Sequence, residues 1–298
     1  MMLAPRPRRF APLPTESSRV LNTSAFASSD GLRIAYAERG EGPPIVFLHG
    51  VGATKRSWEP QLAMLSERFR CIALDYRGYG ESGVPPEKSL SPDARDAKAI
   101  SRAAYARDVI AVLDAAGIES AHLCGCSLGG VVAMETYDAK PARVKSLALV
   151  DTFAHYPEGA DTIDQRIATL DKLGIEGFAN TRAPGVLKPN AAADLVERVR
   201  ADMASIPLAV YKASTRATWT GDYRSLLARI DVPAEVFWGE CDTSIAPLAL
   251  AEQLADGIPT CSGVVRVPHA GHLPNLDNPD FFNLALEAFV DSVEAGFI

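Results

Sequence analysis

A serine with glycine two residues to either side, Gly125-Cys126-Ser127-Leu128-Gly129, has the spacing that lets a hydroxyl stand out of a sharp turn and attack a carbonyl. An apolar run, Ala121-His122-Leu123-Cys124, precedes it, and Val131-Val132-Ala133-Met134-Glu135, which reads as a helix, follows it. In a strand–turn–helix setting the serine must take a strained backbone conformation. Glycines at 125 and 129 remove the Cβ atoms that would strike the neighbouring strand or helix. The helix that starts there aims its free N–H groups and positive dipole end at the serine, so developing negative charge is stabilised.

A serine hydroxyl is a weak nucleophile until a base takes its proton. The chain has five histidines. His49 ends an apolar run inside His49-Gly50-Val51-Gly52 and suits a loop-fixing role. His122 lies inside a strand-like run and reads as a core or edge residue. His155, at the entrance to a helical stretch, is placed to touch substrate. The remaining two lie in Pro268-His269-Ala270-Gly271-His272, just past the last apolar run. Gly271 allows a turn that swings His272 inward, which makes His272 the base, with His269 the alternative. The base needs an acid to hold its tautomer. Asp242, in the loop Gly239-Glu240-Cys241-Asp242 after another apolar run, is the expected acid. Glu240 and Asp151 are the alternatives. Backbone N–H groups of Leu128 and Val51 are the expected oxyanion donors, worth roughly 3 kcal/mol each toward a tetrahedral intermediate.

These groups need a scaffold that gathers loop ends. Continuous apolar runs, the mark of strands buried on both faces, occur at Ile45–Leu48, Cys71–Leu74, Ala121–Cys124, Leu147–Val150, Ala234–Trp238 and Gly263–Val267. Helical patterns separate most of them, at Trp58–Arg68, Ala99–Ala116, Leu128–Ala139, Pro247–Ala255 and Pro279–Val293. This alternation predicts an α/β fold, a mostly parallel central sheet with helices on both faces. Such a sheet collects its reactive groups at the carboxyl ends of the strands. Ahead of it, Asp30-Gly31 between the alternating runs Asn22–Phe26 and Leu32–Tyr36 predicts a hairpin. From residue 152 to 230 the strand signature is absent. Helical patterns at Asp161–Leu173, Ala191–Ala204 and Leu208–Thr218 take its place, with Gly174, Gly177, Pro184, Gly185, Pro189 and Pro207 between them. The expected organisation is a core of residues 20–151 and 231–298, a helical lid of 152–230, and a disordered basic, Pro-rich arm of 1–19. Val84–Ala97 reads as a polar surface loop lengthened near the site. Lid aromatics Phe153 and Trp219 are expected to line an apolar pocket. Arg166, Arg182, Arg200 and Arg216 are expected on solvated lid surface.

Composition narrows the function. A hydrophobic content of 47% in 298 residues supports a sizeable core, and a net charge of −7 offers no basic excess for nucleic acid. No stretch is long and apolar enough to span a membrane, and no secretory signal is read, so a cytoplasmic protein is expected. The five cysteines, Cys71, Cys124, Cys126, Cys241 and Cys261, read as reduced core thiols. Neither a metal nor a cofactor is expected.

Taken together, His49-Gly50-Val51-Gly52, Asp75-Tyr76-Arg77-Gly78-Tyr79-Gly80-Glu81-Ser82, the Ser127 elbow, the Gly239–Asp242 loop and Gly271-His272 resemble the α/β-hydrolase superfamily, in order, from about residue 20 to 293. The order Ser127, Asp242, His272 is that family's triad order. Within it, Cys124–Gly130, Asp151-Thr152 and His272-Leu273-Pro274-Asn275-Leu276 are similar to 3-oxoadipate enol-lactonases. The resemblance implies a cofactor-free serine hydrolase acting on a small ester or lactone through an acyl-enzyme. A lid arginine turned inward would then suit a substrate carboxylate. The alternatives are a carboxylesterase on neutral esters or phthalate-type monoesters, an acyl-homoserine lactonase, and a small-molecule receptor of the same fold.

Overall fold

The computed structural model describes residues 24–90 and 99–298. The expected arm, the start of the first hairpin run and the second half of the Val84–Ala97 loop lie outside the described residues. The hairpin forms as β1 (Ser24–Ser29) and β2 (Leu32–Arg39). Its two turn residues, Asp30 and Gly31, both have positive φ, at 51° and 78°. That is the turn whose twist matches paired strands, and it explains the Asp-Gly pair.

The apolar runs form β3 (Pro44–Leu48), β4 (Arg70–Leu74), β5 (Ala121–Cys126), β6 (Val144–Val150), β7 (Ala234–Gly239) and β8 (Cys261–Val267). The eight strands make one sheet in the order β1-β2-β4-β3-β5-β6-β7-β8. β2 is antiparallel to β1 and β4, and every other pairing is parallel. The carboxyl ends of β5, β6 and β7 therefore lie side by side. β8 departs from the expectation of a strand buried on both faces. It is the edge strand, and Val264 and Val265 are only half-buried.

Helices cover both faces. α2 (Arg102–Ala115), α3 (Leu128–Ala139) and α8 (Leu248–Gly257) pack one apolar layer, built on residues such as Val109, Val132 and Leu254. α1 (Glu59–Leu65) and α10 (Pro279–Glu294) pack the other, with Leu62, Phe282 and Phe289. The short α9 (Pro274–Asp277) leads into α10.

Between β6 and β7 lie α4 (Gly159–Arg182), α5 (Ala193–Ala204), α6 (Leu208–Trp219) and α7 (Arg224–Leu227). α4 runs further than the glycines suggested. Gly174 is a kink (φ 64°, ψ 177°), but Gly177 sits within helix. Leu170 before the kink, and Phe178 and Ala179 after it, are all buried. That burial outweighs the roughly 1 kcal/mol that an interior glycine costs. Cys71, Cys124 and Cys126 are buried free thiols as expected, whereas Cys241 is exposed because it lies in the loop after β7.

His122 is held within the sheet layer: its Nδ1 is 2.8 Å from Ser146 Oγ and its Nε2 is 3.0 Å from Glu294 Oε1. Burial pushes its pKa down to about 4. The unfolded chain binds a proton there below roughly pH 6.5 and the folded chain does not. His122 should therefore cost about 2 kcal/mol of stability between pH 7 and pH 5. Urea unfolding at both pH values should show a loss that shrinks by about that amount in His122→Gln; an equal loss in the two proteins would contradict it.

Candidate active site

β5 ends at Cys126, and Ser127 follows at φ 55°, ψ −118°, outside the regions open to ordinary residues. Its neighbours impose this conformation. Its N–H donates to Val150 O (2.9 Å), and its carbonyl accepts from Gly130 N–H (3.0 Å) and from the Thr152 hydroxyl (2.7 Å). A Cβ at Gly125 would lie 2.2 Å from Gly129 O, and one at Gly129 would lie 2.0 Å from Leu48 O. The glycine spacing in the sequence is thus a packing requirement of strand against helix. Leu128 is the first residue of α3, so its N–H has no partner within the helix.

The loop after β3 comes up against the serine. A Cβ added to Gly50 would lie 3.3 Å from Ser127 Cβ and 3.9 Å from Ser127 Oγ. His49 anchors this loop. It is fully buried, its Nδ1 lies 2.9 Å from Gly50 O, and its Nε2 accepts from Tyr76 N–H at 3.4 Å. Burial pushes its pKa down to about 4, so it is neutral and structural.

His272 and Asp242 meet behind the serine. His272 Nδ1 is 2.6 Å from Asp242 Oδ2, and both side chains are buried. A carboxylate only accepts, so Nδ1 carries the proton and Nε2 is left as an acceptor. Asp242 also accepts from Ile245 N–H (3.0 Å) and Ala246 N–H (3.1 Å). Burial alone would raise its pKa; the His272 contact and the two N–H groups outweigh that and hold it below the ordinary carboxylate value. Of the alternatives, Glu240 and His269 are exposed. Asp151 is buried beside the pair, with its carboxylate, that of Asp242 and the His272 ring reaching within 4.8 Å of one another.

A cleft enclosing about 580 Å³, open mouth included, is lined by Ser127, His272, Gly50 and Val51 from the sheet side. This is within the range of small-molecule sites. Arg166, Arg182, Met203, Tyr211 and Trp219 line it from the inserted helices. Trp219 is where a pocket wall was expected. Phe153 and His155 are not among the lining residues. Phe153 is buried against Tyr156 and Trp219 and so supports Trp219. His155 is held in a backbone bridge to Asp222. Arg166 and Arg182, expected on solvated surface, are instead cleft residues. Met203 and Asp202 also line the cleft and carried no signal in the sequence, since one reads as core and the other as surface charge.

Comparison with known proteins agrees with this architecture. Residues 43–279 match the family model described as alpha/beta hydrolase fold. The chain is 32% identical over 263 residues to a putative carbamate hydrolase RutD of Variovorax paradoxus, covering 86% of this chain and 94% of that protein. It is 27% identical over 272 residues to 3-oxoadipate enol-lactonase 1 of Acinetobacter baylyi, covering 85% of this chain and 90% of the relative. A hydrolase from Pseudomonas aeruginosa superposes with a TM-score of 0.79 at 30% identity, over 90% of this chain and 98% of that one. Sheet order, elbow and family match thus converge: the chain is a member of the alpha/beta hydrolase family.

Proposed function

We propose that the protein is a serine hydrolase of a small ester or lactone, working through an acyl-enzyme without a cofactor. The observation that carries this reading is the buried 2.6 Å contact between His272 Nδ1 and Asp242 in the wall of the cleft that Ser127 lines. In this mechanism His272 Nε2 takes the Ser127 proton as Oγ attacks the carbonyl. Asp242 holds the tautomer and stabilises the imidazolium. The N–H groups of Leu128 and Val51 receive the oxyanion. His272 then protonates the leaving oxygen, and water repeats the cycle on the acyl-enzyme. The inserted helices act as a lid that sets substrate choice.

The cleft favours a substrate that carries a carboxylate. Arg166 and Arg182 line it, and among the described residues neither is ion-paired with an acid. Arg166 stacks on Trp219 with its guanidinium carbon 4.2 Å from the ring centroid. Arg182 is brought down to about 10 by burial and by the adjacent Arg166, and stays charged at neutral pH. Asp202, the acid that also lines the cleft, has Arg56 at 3.7 Å. Two guanidinium groups without counter-ions suit a substrate anion. This supports an enol-lactone or a dicarboxylic monoester over a neutral ester.

A panel of p-nitrophenyl esters, a phthalate-type monoester, an acyl-homoserine lactone, a carbamate and enol-lactone generated in situ tests the substrate class. The expected result is a kcat/KM at least about tenfold higher for an anionic substrate than for a neutral one of similar size, with the ratio falling toward one in Arg182→Gln. A preference for neutral medium-chain esters, with enol-lactone inert, would overturn the lactone reading and leave the serine mechanism standing.

A further inference from the structure

Asp151 is a buried acid for which the proposed mechanism has no use. It follows β6, is 1% exposed, and sits at φ 40°, a strained value for a non-glycine residue. The strain is held from both ends. Its N–H donates to Phe237 O at 2.9 Å, and its two carboxyl oxygens share the single N–H of Gly239, each at 3.2 Å. Asp242 is better served, with two separate backbone N–H groups and the His272 ring. The groups facing Asp151 are Asp242 from the loop after β7, His272 and Asp277 from the segment after β8, and the Cys126 thiol beneath the elbow. None of these is a permanent cation.

Two carboxylates this close and this dry cannot both ionise against one neutral imidazole. The proton belongs on the worse-solvated member of the pair, which is Asp151. Burial, then the Asp242 charge, push its carboxyl well above the ordinary range, and the two carboxyl groups reach within 4.8 Å of one another.

We propose that Asp151 is a positioning residue that keeps its proton and donates it in a hydrogen bond to the Asp242 carboxylate, so that the pair bears one negative charge behind His272. The inference rests on the His272–Asp242 assignment made above. Its consequence is a moderated acid. By engaging one lone pair of Asp242, the Asp151 hydroxyl lowers the pull of that carboxylate on the imidazolium.

The test separates a neutral donor from a charge. Asn at 151 is neutral and can donate to Asp242; Ala cannot. The His272 imidazole titration, followed by NMR, should be unmoved within about 0.2 pH units in Asp151→Asn and raised by about half a unit or more in Asp151→Ala. The acid limb of the kcat/KM profile should move with it. An infrared carbonyl band of a protonated buried carboxyl should be present in the wild type and lost in Asp151→Asn. A His272 titration lowered in Asp151→Asn would mean that a negative charge had been removed, and would overturn the proposal. So would an absent carboxyl band, or an Asp151→Ala titration equal to the wild type. If Asp151→Ala fails to fold, the Asn variant and the infrared band decide alone. The NMR and infrared readings need no turnover, so failure of the hydrolase reading is distinguishable from failure of this one.

Discussion

Replacing Ser127 with alanine is expected to lower turnover of p-nitrophenyl acetate by about 10⁴- to 10⁶-fold, with the protein still folded. The size follows from what is lost. Without Oγ no acyl-enzyme forms, and only the oxyanion donors and the cleft remain to act on a water-driven reaction. Folding should survive because Ser127 holds its backbone through main-chain bonds to Val150 and Gly130 and the Thr152 hydroxyl, none of which uses Oγ. Steady-state rates alongside circular dichroism check both parts. A well-folded Ser127→Ala protein within tenfold of wild type would move the nucleophile elsewhere.

The second large effect is a ranking among four variants. His272→Ala should cost about as much as Ser127→Ala, since a nucleophile and its base act as a unit and their losses do not add. Asp242→Asn should cost about 10⁴-fold in kcat, because an amide at 242 can donate to Nδ1 and turn the ring to the wrong tautomer. His269→Ala and Asp151→Asn should each stay within about tenfold. His269 is exposed beyond the site, and an amide at 151 preserves both the neutral charge and the donor. Measuring kcat for all four on one activated ester checks the order. If Asp151→Asn were the crippling change and Asp242→Asn the mild one, the acid would be Asp151.

The parts of this site that were legible in the sequence are those that main-chain geometry dictates. Gly125 and Gly129 are required because any Cβ there would overlap a carbonyl oxygen, so their spacing marks the elbow without knowledge of packing. The apolar runs of β3 to β7 are legible because strands buried on both faces admit little else. β8 carries the same composition but lies at the edge, and composition alone does not encode strand order. The segment between β6 and β7 was legible only as a run of helices. Which side chains it turns inward depends on tertiary packing: Arg166 and Arg182 look like ordinary surface charges until α4 is seen folded over the cleft. Gly177 misleads for the same reason, since burial of Phe178 and Ala179 overrides local propensity. Phe153 was readable as an aromatic near the start of the inserted helices but not as the residue behind Trp219, because the difference is one packing layer. Asp242 could be favoured over Glu240 and Asp151 as the candidate acid, and the structure adds that Glu240 faces solvent.

The most direct test of the central claim is covalent. An activated serine in this setting should react with a fluorophosphonate at neutral pH, and peptide mass spectrometry should find one adduct, on Ser127. Labelling should be abolished in Ser127→Ala and strongly slowed in His272→Ala. A folded wild-type protein that takes no label, or takes it on another residue, would contradict the claim and favour a binding protein of the same fold.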